Sequence, residues 1–146
     1  MNENIKKKLF EEVKKRGLVV EQKSGTSDFT EMISLILHSR TQIHILHLQT
    51  KSFAEHKALN EYYDEIGDLV DGLVESYQGK YELLKGYKSY DIMNYKTPEM
   101  TIKYLQDLCS KVESLRKCCD DSYIQNQIDN VCQLINSTLY KLRFLN

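Results

Sequence analysis

A chain of 146 residues, 41% of them hydrophobic, is long enough for one domain with a single core. Its 20 basic and 21 acidic side chains nearly cancel, which argues against a wholesale nucleic-acid binder and against an acidic tail protein. One proline and six glycines leave little turn material, so helices should dominate.

No apolar run approaches the roughly 20 residues needed to cross a bilayer. The N-terminus is charged, with no apolar stretch behind it, unlike a signal peptide. The expectation is a soluble cytoplasmic protein with no membrane partner. Cys109, Cys118, Cys119 and Cys132 lack a zinc-site spacing, since the adjacent pair cannot chelate like a CxxC. Cys109 and Cys132 each fall in an apolar periodic pattern, so reduced structural thiols are expected.

Residues 2–16 place Ile5, Leu9 and Val13 four apart and read as a short amphipathic helix ended at Gly17. Lys6, Lys7, Lys8, Lys14, Lys15 and Arg16 surround that stripe. They offer contacts to DNA phosphates, or else form a solvated face partly neutralised by Glu11 and Glu12. Leu18-Val19-Val20 reads as an extended connector, and Gln22–Ser27 as a polar linker.

The first long helix should start near Ser27 or Asp28, with Asp28 and Glu31 spaced as a capping box, and run to about Gln49. His44 and His47 share a face of it. After the break at Thr50–Ser52, Ser52 and Glu55 form a second box. The next helix then runs from Phe53 to about Gln78, roughly 39 Å. Its apolar stripe is Leu59, Tyr63, Ile66, Val70, Leu73 and Tyr77, while Asp64, Asp68, Asp71 and Glu75 line another face. So short a break implies an antiparallel hairpin. His47 and His56 then lie near one end, with Asp71 and Glu75 about 22–28 Å along the helix from His56. One copy cannot gather all four around an ion; a second copy across a two-fold axis can.

Residues 79–97 are rich in tyrosine and form either a long crossover or a loop holding a short helix around Tyr81–Lys85. Such a loop suits a subunit interface or its own domain equally. Thr97-Pro98-Glu99 starts a third long helix with Ile102, Leu105, Leu108, Cys109, Val112 and Leu115 inward. After Cys119–Ser122, with Asp120 or Asp121 as cap, a fourth uses Ile124, Ile128, Val131, Ile135, Leu139 and Leu142. The pattern predicts an all-α fold: a short N-terminal helix and linker over 1–26, then a ferritin-like four-helix bundle over 27–146. Its long crossover joins the second and third long helices.

His47, followed by Phe53-Ala-Glu-His56-Lys-Ala-Leu-Asn60-Glu-Tyr-Tyr and then by Asp71-Gly-Leu-Val-Glu75, resembles the Dps mini-ferritins. The match covers roughly residues 44–79, and its D-x-x-x-E begins 15 residues after His56, the family spacing. The resemblance implies an iron site shared between two-fold partners, with His47 and His56 from one chain and Asp71 and Glu75 from the other. Asn60 and Asp68 would be outer ligands. It also implies ferrous iron oxidised by peroxide and stored in a twelve-subunit shell, where weak basic tails could bind DNA by multivalency. Oxygen and imidazole ligands suit Fe²⁺. The chain departs from the family in three ways. Asn60 stands where the family has an acid, Leu48 where it has tryptophan, and the His47–His56 segment is about three residues shorter. Those departures define the alternative: a non-catalytic ferritin-like structural or interaction protein.

Overall fold

The computed structural model describes residues 2–16 and 25–145, with Lys14 described by its backbone alone. The expected connector Leu18–Val20 and most of the linker lie outside the described residues. Among the described residues five α-helices follow one another: α1 (Glu3–Lys15), α2 (Thr26–Gln49), α3 (Phe53–Lys80), α4 (Pro98–Leu115) and α5 (Ser122–Phe144). A single 3-10 turn, Arg116–Cys118, follows α4. No strand occurs among the described residues.

Helices α2 and α3 form the expected hairpin, reversing over three residues. Ser52 Oγ accepts the Glu55 amide at 3.2 Å and starts α3. The Glu55 carboxylate does not return to Ser52; it accepts the hydroxyls of Thr50 (2.7 Å) and Tyr95 (2.8 Å). The other expected box does not form. Helix α2 begins at Thr26 after Gly25, which adopts φ 89° with no side-chain cap. Gly25 is held against the Cys118 carbonyl, and that left-handed backbone ends the chain's approach to α2 before Asp28 can cap it.

The segment after α3 is a strap and carries no helix. Three of its backbone amides donate to polar side chains of α2, in the same order along both. The Lys88 amide donates to Ser34 (3.0 Å), and the Tyr95 amide to Gln49 (2.7 Å). Gln42, fully buried, takes both the amide and the carbonyl of Met93, at 2.7 and 2.8 Å. Within Tyr81–Lys85, the alternative place for a short helix, the Leu84 amide donates instead to Gln78 Oε1 of α3 at 2.9 Å. The strap therefore carries the chain back along the bundle, so α4 starts beside the α2–α3 turn and runs parallel to α3. Thr97 caps it through the Met100 amide (3.3 Å), with Pro98 in the first turn.

Helix α3 packs on α2 and α5, and α4 packs on α5 and α2. The core comprises Phe29, Met32, Ile33, Ile36, Ile43 and Leu46 of α2, with Leu59, Ile66, Val70 and Leu73 of α3. Leu105 and Val112 of α4 join them, and all six predicted apolar positions of α5 are buried. Tyr62, rather than Tyr63, completes the α3 stripe, with its hydroxyl 2.7 Å from Ser39 Oγ. Spacings of three and four are both helical, and only the position of α2 selects between the two tyrosines. Each such fully buried side chain contributes about 1.5–3 kcal/mol. Helix α1 leaves Ile5, Leu9 and Phe10 more than half exposed. No helix is long and apolar enough to cross a membrane, among the described residues.

A histidine pair at the hairpin turn

The short α2–α3 break brings His47, in the last turn of α2, onto His56, in the first turn of α3. Their rings stack with centroids 3.8 Å apart, and their Nε2 atoms lie 3.1 Å from each other. Two nitrogens each about 2.1 Å from one metal ion, and at right angles to it, would be separated by about 3.0 Å. The 3.1 Å separation is that of a hydrogen bond between the rings and also matches adjacent ligands on one ion, toward which the stacked rings would have to turn.

Proton placement follows from the hydrogen bonds. His56 Nδ1 lies 3.1 Å from the His47 carbonyl oxygen, which can only accept. Nδ1 therefore carries the proton, and Nε2 keeps its lone pair whenever the ring is neutral. A backbone carbonyl behind the non-ligating nitrogen is also the usual support of a metal-bound histidine. His47 is 6% exposed. Burial first, then the neighbouring His56 and His44, hold it below the usual histidine range, with Asp64 acting weakly the other way. In the metal-free pair, the His47 Nε2–H donates to His56 Nε2, leaving His47 Nδ1 buried with no hydrogen-bond partner among the described residues.

Metal binding would move that proton onto Nδ1 or expel it. His47 Nδ1 lacks a partner whether or not it carries the proton, so its burial disfavours both states and not binding alone. To hold one ion the pair would have to turn out of its stack, with His47 Nδ1 left unsupported.

Tyr63, half-buried, packs edge-on to His47 (5.1 Å) and stacks on His44 (4.2 Å). Its hydroxyl donates to Asn60 Oδ1, and the Asn60 amide donates to Asp64, both at 2.9 Å. Asn60 is thus occupied in bracing the aromatic wall. Tyr63 and Asp64 are the members of this cluster that sequence reasoning missed. Their signal was present, since Tyr63 lies seven residues after His56 and so shares its helix face.

Asp68, Asp71 and Glu75 are exposed along α3. The helix is unbroken from Phe53 to Lys80, so Asp71 and Glu75 stand about 22–28 Å along the axis from His56. One chain brings the two histidines together and leaves the two acids apart from them. The basic residues Lys6, Lys7, Lys8 and Lys15 are exposed on α1, and Arg16, just after it, is exposed and pairs with Glu12 at 3.6 Å. The Lys14 side chain lies outside the described set.

Among the described residues, the group whose metal-ligating atoms converge is elsewhere: Cys109 and Glu113 of α4 with Cys132 of α5. Neither cysteine belongs to a recognisable ligand spacing in the sequence.

The architecture defines an all-helical bundle protein with a paired-histidine turn and an acidic helix face. Residues 47–142 match the model of a family of unknown function, DUF5856, and the chain belongs to that family. A relative from Enterobacteria phage T4, an uncharacterized 14.6 kDa protein in the mobD-ri intergenic region, is 30% identical over 121 residues. That alignment covers 83% of this chain and 92% of the relative. No solved structure matches the chain.

Proposed function

We propose that this protein is a ferritin-like, Dps-type iron handler. His47 and His56 of one copy and Asp71 and Glu75 of a second would together bind Fe²⁺ as substrate. The observation that carries the reading is the His47–His56 contact, with the lone pair on His56 Nε2 fixed by the carbonyl behind Nδ1. The open α3 acids and the full-length strap, which leaves α3 and α4 parallel as in ferritin-like bundles, favour it further. Two ferrous ions would each give one electron to a peroxide. Its O–O bond would break, and two protons would be taken up to form two waters. Storage in a shell of copies, and weak DNA contact through α1, belong to the same reading.

The test is anaerobic Fe²⁺ titration in a Cys109→Ser/Cys132→Ser background, so that the Cys109–Cys132 pair does not contribute. Near-stoichiometric binding is expected, abolished by Asp71→Ala with Glu75→Ala and by His56→Ala. Unchanged binding in the double acid variant rejects the assignment.

A second reading has its own observation. Asn60 is tied to Tyr63 and Asp64, and Glu61 of the same helix pairs with Lys141. A non-catalytic helical interaction protein would use α3 in this way, and it predicts purified protein without iron that turns over none.

A further inference from the structure

We propose that Cys109, Glu113 and Cys132 form a binding site for Zn²⁺ or a similar borderline-soft divalent ion, separate from the histidine pair. Cys109 and Glu113 are one turn apart on α4, and Cys132 faces them from α5. The three ligand atoms lie within 4.8 Å of one another, with Cys109 Sγ 3.8 Å from Glu113 Oε1. A tetrahedral ion with sulfur at about 2.3 Å and oxygen at about 2.0 Å sets S···S near 3.8 Å and S···O near 3.5 Å. The Cys109–Glu113 pair is within a few tenths of an ångström of that geometry, and closing Cys132 onto it needs side-chain movement of about an ångström at most for each ligand.

The two thiols belong to the hydrophobic core, at the edge where Glu113 reaches solvent. Both thiols are buried and free, and Glu113 is exposed at the rim, so an ion can enter from solvent past a carboxylate. Two sulfurs select zinc-like ions over magnesium or calcium. In the 3-10 turn that follows α4, Arg116 makes a two-pronged pair with Asp129 of α5, at 2.7 and 2.9 Å. That pair keeps the Asp129 carboxylate on the guanidinium, so it is not a fourth ligand. The fourth position is left to water.

Burial pushes both thiols up, Cys132 to about 12, helped by Cys109 and Glu113 nearby. Both are protonated in the empty site. Binding then converts two thiols and one carboxylate into a complex with the ion and releases two protons to solvent. The ion replaces those protons and ties α4 to α5.

The experiment is Co²⁺ and Zn²⁺ titration of the reduced full chain under anaerobic conditions. One Co²⁺ per chain should give a thiolate-to-cobalt charge-transfer band with tetrahedral visible absorption, bleached by Zn²⁺. The band should vanish in Cys109→Ser and in Cys132→Ser, and persist in Cys118→Ser, Cys119→Ser and His47→Ala/His56→Ala. Exposed Glu113→Gln, which leaves the buried packing intact, should weaken Co²⁺ by more than the roughly 10-fold lost with an outer partner. Zn²⁺ should raise the Tm of wild type but not of Cys132→Ser. Absence of the charge-transfer band, or its survival in both Cys109→Ser and Cys132→Ser, overturns the proposal. Because the histidine variants are read separately, failure here leaves the iron reading standing, and the reverse.

Discussion

Mixing two defective variants would test the two-fold iron site directly. His56→Ala lacks one imidazole but keeps both acids, whereas Asp71→Ala/Glu75→Ala keeps the histidine pair. Because unbroken α3 separates these groups by about 22–28 Å within one chain, neither variant can form a site with itself. After equal amounts are mixed and allowed to exchange subunits, a site is intact only when two independent choices both succeed. The chain giving histidines must be the acid variant, and the chain giving acids must be the histidine variant. Each choice has a chance of one half, so about a quarter of wild-type Fe²⁺ capacity should return, whatever the number of subunits in the assembly. Anaerobic Fe²⁺ titration of each variant and of the mixture reads this out, with native mass spectrometry verifying exchange. Capacity that stays at zero in an exchanged mixture would refute the shared-site geometry.

Acid should destabilise the fold through His47. Above its ordinary value of 6.5 the ring is neutral in both folded and unfolded chains. As pH falls below 6.5, the unfolded ring takes a proton that the folded ring, held lower by burial, resists, so stability drops until the folded ring also titrates. Urea unfolding at pH 7.5 and 5 should show the loss, and His47→Gln should flatten it; an unaltered slope would count against the buried neutral ring. Gly25→Ala should cost about 1–2 kcal/mol for its left-handed backbone. A further penalty comes from the new Cβ, which would lie 2.9 Å from the Cys118 carbonyl oxygen. Gly86→Ala, also left-handed but with open space around it, should cost only the backbone part; equal losses in thermal melts would contradict this. Tyr62→Phe should lower stability by about 0.5–1.5 kcal/mol through the lost Ser39 bond while leaving Fe²⁺ binding unchanged. Unchanged unfolding, or a loss of iron binding, would count against that.

Sequence alone determined the helices and most of their inward faces. Proline at the start of α4, serine at the start of α3 and the three- and four-residue apolar spacings are local signals, and each acts within its own turn or two. The closeness of His47 and His56 was legible too, because so short a break leaves the hairpin few ways to close. Tertiary structure decided what depends on a neighbour. Tyr62 displaced Tyr63 from the core because α2 lies on one side of α3. The segment after α3 lies along α2 as a strap because Ser34, Gln42 and Gln49 of α2 accept the amides of Lys88, Met93 and Tyr95. Cys109 and Cys132 met because α4 and α5 pack in one register. Contacts between distant segments are set by packing of whole helices, and no short stretch of sequence carries that information.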